Sequence, residues 1–387
     1  MTVTLKPLEE QVVVLTGASS GIGLATARAA AERGARLVLV ARNEAALEEL
    51  AGEIRAKGGE AVAVAADVAK PDDLRRVAET AIDRFGGFDT WINDAAVAIY
   101  GTVEQVPIAD QRQLFEVNYW GVVEGSLAAA KHLKGRGGAI INVGSVLSNR
   151  ALILQGPYSA SKHAVKAFTD ALRMELEHEA APVSVTLIKP SSIDTPYVEH
   201  ARSYLDSPGV TIPPPAYDPH LVAKAILHAC EHPTRDLVVG FGGWAFALME
   251  RFAPRLTDLF MEAAGSAMQT SDNPGRRARR DNLYAAREDG AEHSSLPRAS
   301  RKTSLFLEAQ LHPVATLALA AGAGLAAAYF LRPLSENEHA RLQRRQRVAG
   351  IMGGNGEDWD REALRLSSRA PGRYTERDLR RGLPPGA

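Results

Sequence analysis

The chain is poor in cysteine and in aromatic residues: one Cys, Cys230, among 387 residues, and 6% Phe, Trp and Tyr together. A lone thiol forms no internal disulfide and anchors no Cys-rich metal centre, which excludes a stapled secreted scaffold and a zinc module; no metal is expected. Cys230 reads as a small packed hydrophobe. The opening MTVTLKPLEEQ carries acidic residues and no apolar stretch, so no signal peptide is expected. Net charge is nearly absent as well, at −1. That balance hides an asymmetry: residues 271–387 hold 19 Arg and 1 Lys against 14 Asp plus Glu, a net of +6, so residues 1–270 carry −7. The rest, 45% hydrophobic and 24% charged, is ordinary globular composition. At about 150 residues per domain the length allows two to three units, and composition changes near Thr270.

Up to that break, short apolar runs alternate with helical periodicity. Strands are predicted at 11–16, 36–41, 61–65, 90–92, 139–143, 183–188 and 236–239, and helices at 21–34, 43–57, 71–85, 108–134, 157–179 and 219–231. Strands that are apolar throughout, set between helices, require a parallel sheet covered on both faces. Right-handed crossovers then give an α/β fold, a Rossmann-type doubly wound parallel sheet of about seven strands with a C-terminal helical extension. Its ligand belongs at the carboxyl ends of the strands.

The first strand runs into Thr16-Gly17-Ala18-Ser19-Ser20-Gly21-Ile22-Gly23. Small residues between a strand and a helix let the backbone approach a pyrophosphate. The helix N-terminus adds free N–H groups and partial positive charge. A plain structural loop is the competing reading. The Gly-x3-Gly-x-Gly spacing resembles the short-chain dehydrogenase/reductase superfamily, and more of that pattern follows in order over about residues 8–240. Asp67-Val68 ends the third strand. Asn93-Asp94-Ala95-Ala96 stands where the family has Asn-Asn-Ala-Gly, departing at its second and fourth positions. Asn118, Ser145 and Tyr158-Ser159-Ala160-Ser161-Lys162 follow, with Ser145 13 residues before Tyr158, and then Pro190 to Thr195 with Ser191 in place of the usual Gly.

The resemblance implies that Gly17, Ser19, Ser20, Gly21, Ile22, Gly23, Asp67, Val68, Asn93, Ala95, Pro190, Ile193 and Thr195 bind a nicotinamide dinucleotide, together with Tyr158 and Lys162. It also implies pairing of two copies through the long helices at about 108–134 and 157–179, hence a homo-oligomer. The residues themselves speak on which dinucleotide. An acidic side chain after the second strand would hold a 2′-hydroxyl and repel a 2′-phosphate. Here Ala41 is followed by Arg42, whose guanidinium suits a phosphate, so NADP (NADPH) is favoured over NAD. A solvated helix-start arginine is the alternative.

Tyr158 and Lys162 lie four apart on a predicted helix and share a face. A phenol titrates near pH 10, and a neighbouring ammonium favours its ionised form. The expectation is an acid–base tyrosine that exchanges a proton with a carbonyl or alcohol oxygen while hydride passes to or from the cofactor. By the resemblance, Lys162 also holds the nicotinamide ribose, Ser145 hydrogen-bonds the carbonyl, and Asn118 orders a water in the proton relay. The activity implied is an NADP-dependent carbonyl–secondary alcohol interconversion. The alternative is a catalytically silent nucleotide-binding sensor or membrane-tethered scaffold, against which the intact Ser145–Tyr158–Lys162 set counts.

Leu147, Leu152, Ile153 and Leu154, with Tyr204, Val210, Ile212 and Pro213-Pro214-Pro215 in the 197–217 segment, suggest an apolar wall and a lipophilic substrate; core packing and a stiff loop explain them equally. Arg150 reads as surface, or as a contact for an acidic substrate. The chain thus divides into a 1–240 catalytic domain, a 241–270 apolar helical segment, a 271–304 Arg-rich linker, an apolar helix at 305–333 and an Arg-rich, partly disordered tail at 334–387. The 241–270 segment fits a substrate cap, a subunit interface or a membrane contact. Val314–Leu331 has 18 residues without a charge, which reaches the length of a bilayer span, and a helix docked on protein is the competing reading. Arg276–Arg280 fits phosphates or anionic lipid, or plain solvation. No nucleic-acid module accompanies the arginines, so nucleic acid is not expected. A cytoplasmic catalytic domain, with membrane association through 314–331, completes the expectation.

Overall fold

β1 (Val12–Thr16) is apolar along its length because both of its faces are covered: Val13 and Leu15 point into one core, Val12 and Val14 into the other. Around it run β2 (Arg36–Ala41), β3 (Ala61–Ala65), β4 (Thr90–Asn93), β5 (Gly138–Val143), β6 (Val183–Pro190) and β7 (Asp236–Val239). They pair in parallel in the spatial order β7-β6-β5-β4-β1-β2-β3. The order reverses between β1 and β4, where Thr16 stands beside Asn93, so a crevice opens beyond the carboxyl ends of those two strands. The computed structural model describes residues 3–273, 281–287 and 290–331. Its described residues fall into two units, within Met1–Thr316 and within Leu317–Ala387.

One face of the sheet is covered by α1 (Gly21–Glu32), α2 (Glu44–Ala56) and α7 (Pro219–Glu231), the other by α3 (Pro71–Phe85), α4 (Ile108–Phe115), α5 (Gly121–Leu133) and α6 (Gly156–His178). Each helix starts where its sequence says it should. Asn43 and Asp218 cap α2 and α7 by accepting backbone N–H groups, and Pro71, Pro157 and Pro219 sit in first turns that need no N–H. The helix expected over 108–134 is present but carries one π-helical turn, Glu116–Trp120, which joins α4 to α5 and holds Asn118. Cys230 is fully buried in the first core, with its thiol pushed up to about 12 by burial, as an inert packing residue.

Two expectations change. The 271–304 stretch does not behave as a linker where it is described. Leu283 is fully buried in the second core, and Ser300–Arg301 forms a short parallel pair with Ala216–Tyr217. The surrounding polar residues conceal apolar anchors, Leu283 and the partly buried Leu296, which composition alone averages away. The apolar stretch at 305–333 is also not one helix. It divides at His312 into α10 (Leu305–Leu311), whose Leu307 and Leu311 join the first core, and α11 (Pro313–Leu331). Among the described residues no single helix is long and apolar enough to cross a membrane. Arg276–Arg280 and the 334–387 tail lie outside the described residues.

Candidate active site

The glycine turn after β1 is built by close approach. Gly17 adopts φ +78°, and a Cβ there would stand 2.9 Å from the Ala95 nitrogen; a Cβ on Gly23 would stand 2.1 Å from the Gly17 carbonyl oxygen. Thr16 locks the turn to the end of β4: its Oγ1 accepts from the N–H groups of Asp94 at 3.1 Å and Ala95 at 3.2 Å. The result is a cavity of about 450 Å³ above the switch point. Gly17, Ser19, Ser20, Gly21 and Ile22 form its floor, Arg42, Asp67 and Val68 one end, and Ala95, Pro190, Ile193 and Thr195 the side walls. Ser145, Tyr158 and Lys162 line it as well.

Three of the expected residues stand behind the wall. Gly23 serves the turn by letting α1 approach β1. Asn93 accepts from Trp91 Nε1 at 2.8 Å and donates to Ser126 Oγ at 3.1 Å and Asn142 Oδ1 at 2.8 Å, a buried network that fixes the end of β4. Asn118 accepts from the Val97 N–H at 2.8 Å and donates to the Val97 carbonyl at 2.9 Å and to Ser161 Oγ at 3.3 Å. Both its side-chain ends thus hold protein, and it clamps the loop after β4 to α6.

The residues expected to be catalytic converge from two elements. Ser145 follows β5 and begins a short 3₁₀ turn, while Tyr158 and Lys162 come from the first turns of α6. The Tyr158 ring packs edge-on against the Tyr197 ring at 5.6 Å, and the hydroxyls of Ser145 and Tyr197 both favour its ionised form. Lys162 Nζ donates to the Val143 carbonyl at 2.9 Å and lies 5.7 Å from the Tyr158 ring centre. Burial dominates the electrostatics: it pushes Tyr158 up to about 12 against the pull of its two hydroxyl partners, and Lys162 down to about 8 against the pull of Asp94. The acidified tyrosine expected from the spacing is therefore corrected. The ammonium faces the ring and a carbonyl, and burial, helped by the Asp94 carboxylate, raises the phenol, so Tyr158 holds its proton at neutral pH.

Arg42 lines the opposite end of the cavity. Nη2 donates to the Asn282 carbonyl, and Nη1 is buried without a hydrogen-bond partner among the described residues. A buried guanidinium N–H left open beside a nucleotide cradle fits an anionic acceptor. With the glycine cradle it makes the site compatible with a phosphorylated dinucleotide.

The segment 241–270 folds over this cavity as α8 (Phe241–Phe252) and α9 (Pro254–Ala264), and Phe246, Phe260 and Met261 line it. Leu147, Leu152, Ile212 and Pro213-Pro214-Pro215 do so too, whereas Ile153, Leu154, Tyr204 and Val210 do not. Arg150 lines the cavity too, and it pairs with Glu250 at 2.8 Å and Asp258 at 2.7 Å, tying α8 and α9 together.

The family profile for short chain dehydrogenase matches residues 11–205. The chain belongs to the short chain dehydrogenase family. This dehydrogenase is 47% identical over 320 residues to "Uncharacterized oxidoreductase YxnA" of Bacillus subtilis, covering 82% of this chain and 90% of that one. A match of that length reaches well beyond residue 205. It is 37% identical over 187 residues to 11-beta-hydroxysteroid dehydrogenase A of Sesamum indicum, covering 48% of this chain and 53% of the relative. Its fold superposes on a Burkholderia phymatum short chain dehydrogenase/reductase solved with NAD, at TM-score 0.59 and 25% identity over 65% of this chain and 96% of that one. A Thermococcus sibiricus alcohol dehydrogenase complexed with 5-hydroxy-NADP matches at TM-score 0.52 and 26% identity over 59% and 95%. The dehydrogenase is thus an oxidoreductase of the class that interconverts alcohols and carbonyls.

Four contributors to the site escaped sequence reasoning. Tyr197 begins a short helical turn, and its hydroxyl donates to Gln155 Oε1 at 3.0 Å as well as meeting Tyr158. Asp94 was visible as a departure from the family pattern; its buried carboxyl is pushed up to about 7 by desolvation, against the pull of Lys162 and of the Gly23 N–H. Asn282 and Arg287, from the Arg-rich stretch, also line the cavity, and no sequence signal marks them.

Proposed function

We propose that this dehydrogenase is an NADPH-dependent reductase of lipophilic ketones, running in reverse as a secondary-alcohol dehydrogenase. The observation that carries the reading is Tyr158 beside Ser145 and Lys162 at the wall of one cavity that Arg42, with a buried N–H lacking a partner among the described residues, and an apolar cap also line. Bound NADPH supplies the hydride. Ser145 and Tyr158 then hold the carbonyl oxygen between two hydroxyl donors. Tyr158, titrating near 12, keeps its proton until the oxygen gains alkoxide character, which suits a proton donor in the reducing direction. Lys162, anchored on Val143, keeps a positive charge near the ring and is placed to hold a ribose hydroxyl.

Substrate class follows from the cap. Phe246, Phe260, Met261, Leu147, Leu152 and Ile212 offer carbon rather than charge, and the charge of Arg150, which also lines the cavity, is paired with Glu250 and Asp258. A flat apolar ketone fits such walls, in keeping with the hydroxysteroid dehydrogenase among the relatives. Pairing of two copies through α4–α5 and α6 belongs to the same reading, since Trp120, Leu127 and Met174 expose apolar side chains there. The test is NADPH oxidation with a carbonyl panel running from small dicarbonyls to steroid-sized ketones, using wild type and Tyr158→Phe. Loss of a general acid lowers turnover by about 10²–10⁴-fold. Unchanged turnover in Tyr158→Phe refutes the assignment.

A further inference from the structure

The segment following the cap crosses the nucleotide end of the cavity. Its described pieces, 281–287 and 290–301, are firmly held. Leu283 is fully buried, Tyr284 donates to Asp110 Oδ1 at 2.8 Å, Asp281 pairs with Arg202 at 2.9 Å, and Ser294 donates to Asp194 Oδ1 at 2.6 Å. Further along, Glu292 pairs with Arg28 at 2.7 Å and with His220 at 3.3 Å, while His293 meets Asp218 at 3.3 Å. Ser300–Arg301 then pairs beside Ala216–Tyr217.

Between these anchors the segment's own backbone carbonyls take N–H groups from the cradle. Asn282 O accepts from Arg42, Arg287 O from Asn43 Nδ2 at 2.5 Å, and Ala291 O from the Gly21 N–H at 2.9 Å. The Arg287 guanidinium donates to the Glu199 carbonyl. Asn43 follows β2 and Glu199 follows β6, so these attachments lie on opposite sides of the turn that ends β1. Arg287 therefore spans the mouth, with its backbone on one bank, its guanidinium on the other, and part of its surface lining the cavity.

We propose that residues 281–287 and 290–301 form a strap that completes the dinucleotide site, with Arg287 binding the diphosphate across the mouth. This rests on the reading of the site as a dinucleotide site. The chemistry is that of a cation held opposite a helix N-terminus. At the start of α1 the Gly21 N–H is taken by Ala291 O and the Gly23 N–H by the Asp94 carboxyl, which leaves the Ile22 N–H and the helix dipole for one side of a diphosphate, and a guanidinium on the other side encloses it, with a fork that matches phosphate oxygens. Arg42 stands at the 2′-phosphate end and distinguishes NADP from NAD; Arg287 acts on the part common to both. A strap bonded to both banks must also part before the cofactor leaves, so it slows exchange.

The test uses the full chain, with NADPH and NADH as probes. Binding is read by calorimetry, release by stopped-flow fluorescence with excess oxidised cofactor as the chase, and strap order by hydrogen exchange over 281–301. Arg287→Gln is expected to weaken both cofactors about tenfold or more and to speed release, with Arg287→Lys recovering part of the loss because it restores charge without the fork. In wild type, NADPH is expected to slow exchange across 281–287. Two results overturn the strap alone: cofactor bound by Arg287→Gln with wild-type affinity and release rate, or exchange in the wild-type strap that NADPH leaves unchanged. If wild type binds neither NADPH nor NADH, the dinucleotide reading fails, and the strap proposal fails with it.

Discussion

Arg42, on the loop after β2, gives one guanidinium nitrogen to the carbonyl of Asn282, 240 residues further along the chain, lines the cavity, and leaves Nη1 buried without a partner among the described residues. One side chain thus joins the nucleotide cradle to the strap and still offers a donor. Burial lowers its basicity while Asp67 opposes the shift, but an arginine stays charged throughout the physiological range.

Replacing Arg42 by Ala is expected to raise the Kd for NADPH much more than that for NADH, whose smaller rise reflects the lost Asn282 anchor. A charge-assisted hydrogen bond contributes about 1.5–3 kcal/mol, which corresponds to roughly ten- to a hundredfold in affinity. Calorimetric titration with both cofactors reads the ratio directly. Equal loss for the two would assign Arg42 to packing and not to a phosphate.

Tyr197→Phe removes one of the two hydroxyls that steady Tyr158 and leaves Gln155 without that donor. Since the Tyr197 hydroxyl favours the ionised form of Tyr158, the acidic limb of the alcohol-oxidation pH profile is expected to move to higher pH. Turnover at neutral pH is expected to fall by about tenfold, less than for loss of the acid itself. A profile identical to wild type would show that Ser145 alone governs Tyr158.

Asp94 gives a stability signature. Its folded value, about 7, lies above the unfolded one near 4, so between those values the folded state binds more protons than the unfolded chain. Its contribution therefore falls as pH rises through that window and is level above it. In cofactor-free protein, the Tm of Asp94→Asn minus that of wild type is expected to grow between pH 5 and pH 8. The substitution also deprives Lys162 of the carboxylate that supports its charge, so the alkaline limb of the rate profile, set near 8 in wild type, is expected to shift to lower pH. A constant Tm difference across that range would place Asp94 in water.

Arg150→Ala cuts the two ion pairs that tie α8 to α9 beneath the cap. Its partners are partly exposed, and such pairs contribute about 0.2–1 kcal/mol each. A roughly two- to fivefold rise in KM for an apolar ketone is expected, with NADPH affinity unchanged and faster proteolysis between residues 241 and 264. An unaltered KM would detach the cap from substrate binding.

Much of the molecule follows from local rules that act over a few residues. Continuous apolar runs such as Val12–Leu15 can be buried only in a sheet covered on both sides. The Gly17–Gly23 turn is dictated by backbone that no side chain could follow. The four-residue step from Tyr158 to Lys162 places both on one helix face wherever the helix lies. These features are determined by sequence because each depends on near neighbours.

Tertiary structure decided what depends on distance and dielectric. Composition assigned 271–304 to a linker, yet among its described residues Leu283 is buried, the carbonyls of Asn282, Arg287 and Ala291 bond the cradle, and Asn282 and Arg287 line the cavity. Spacing brought Lys162 near Tyr158, but only the packing around them showed that desolvation prevails and keeps the phenol protonated. Pairings between residues a hundred or more positions apart leave no periodicity to read. The balance between a charge and its burial is likewise set by every surrounding atom, most of which come from elsewhere in the chain.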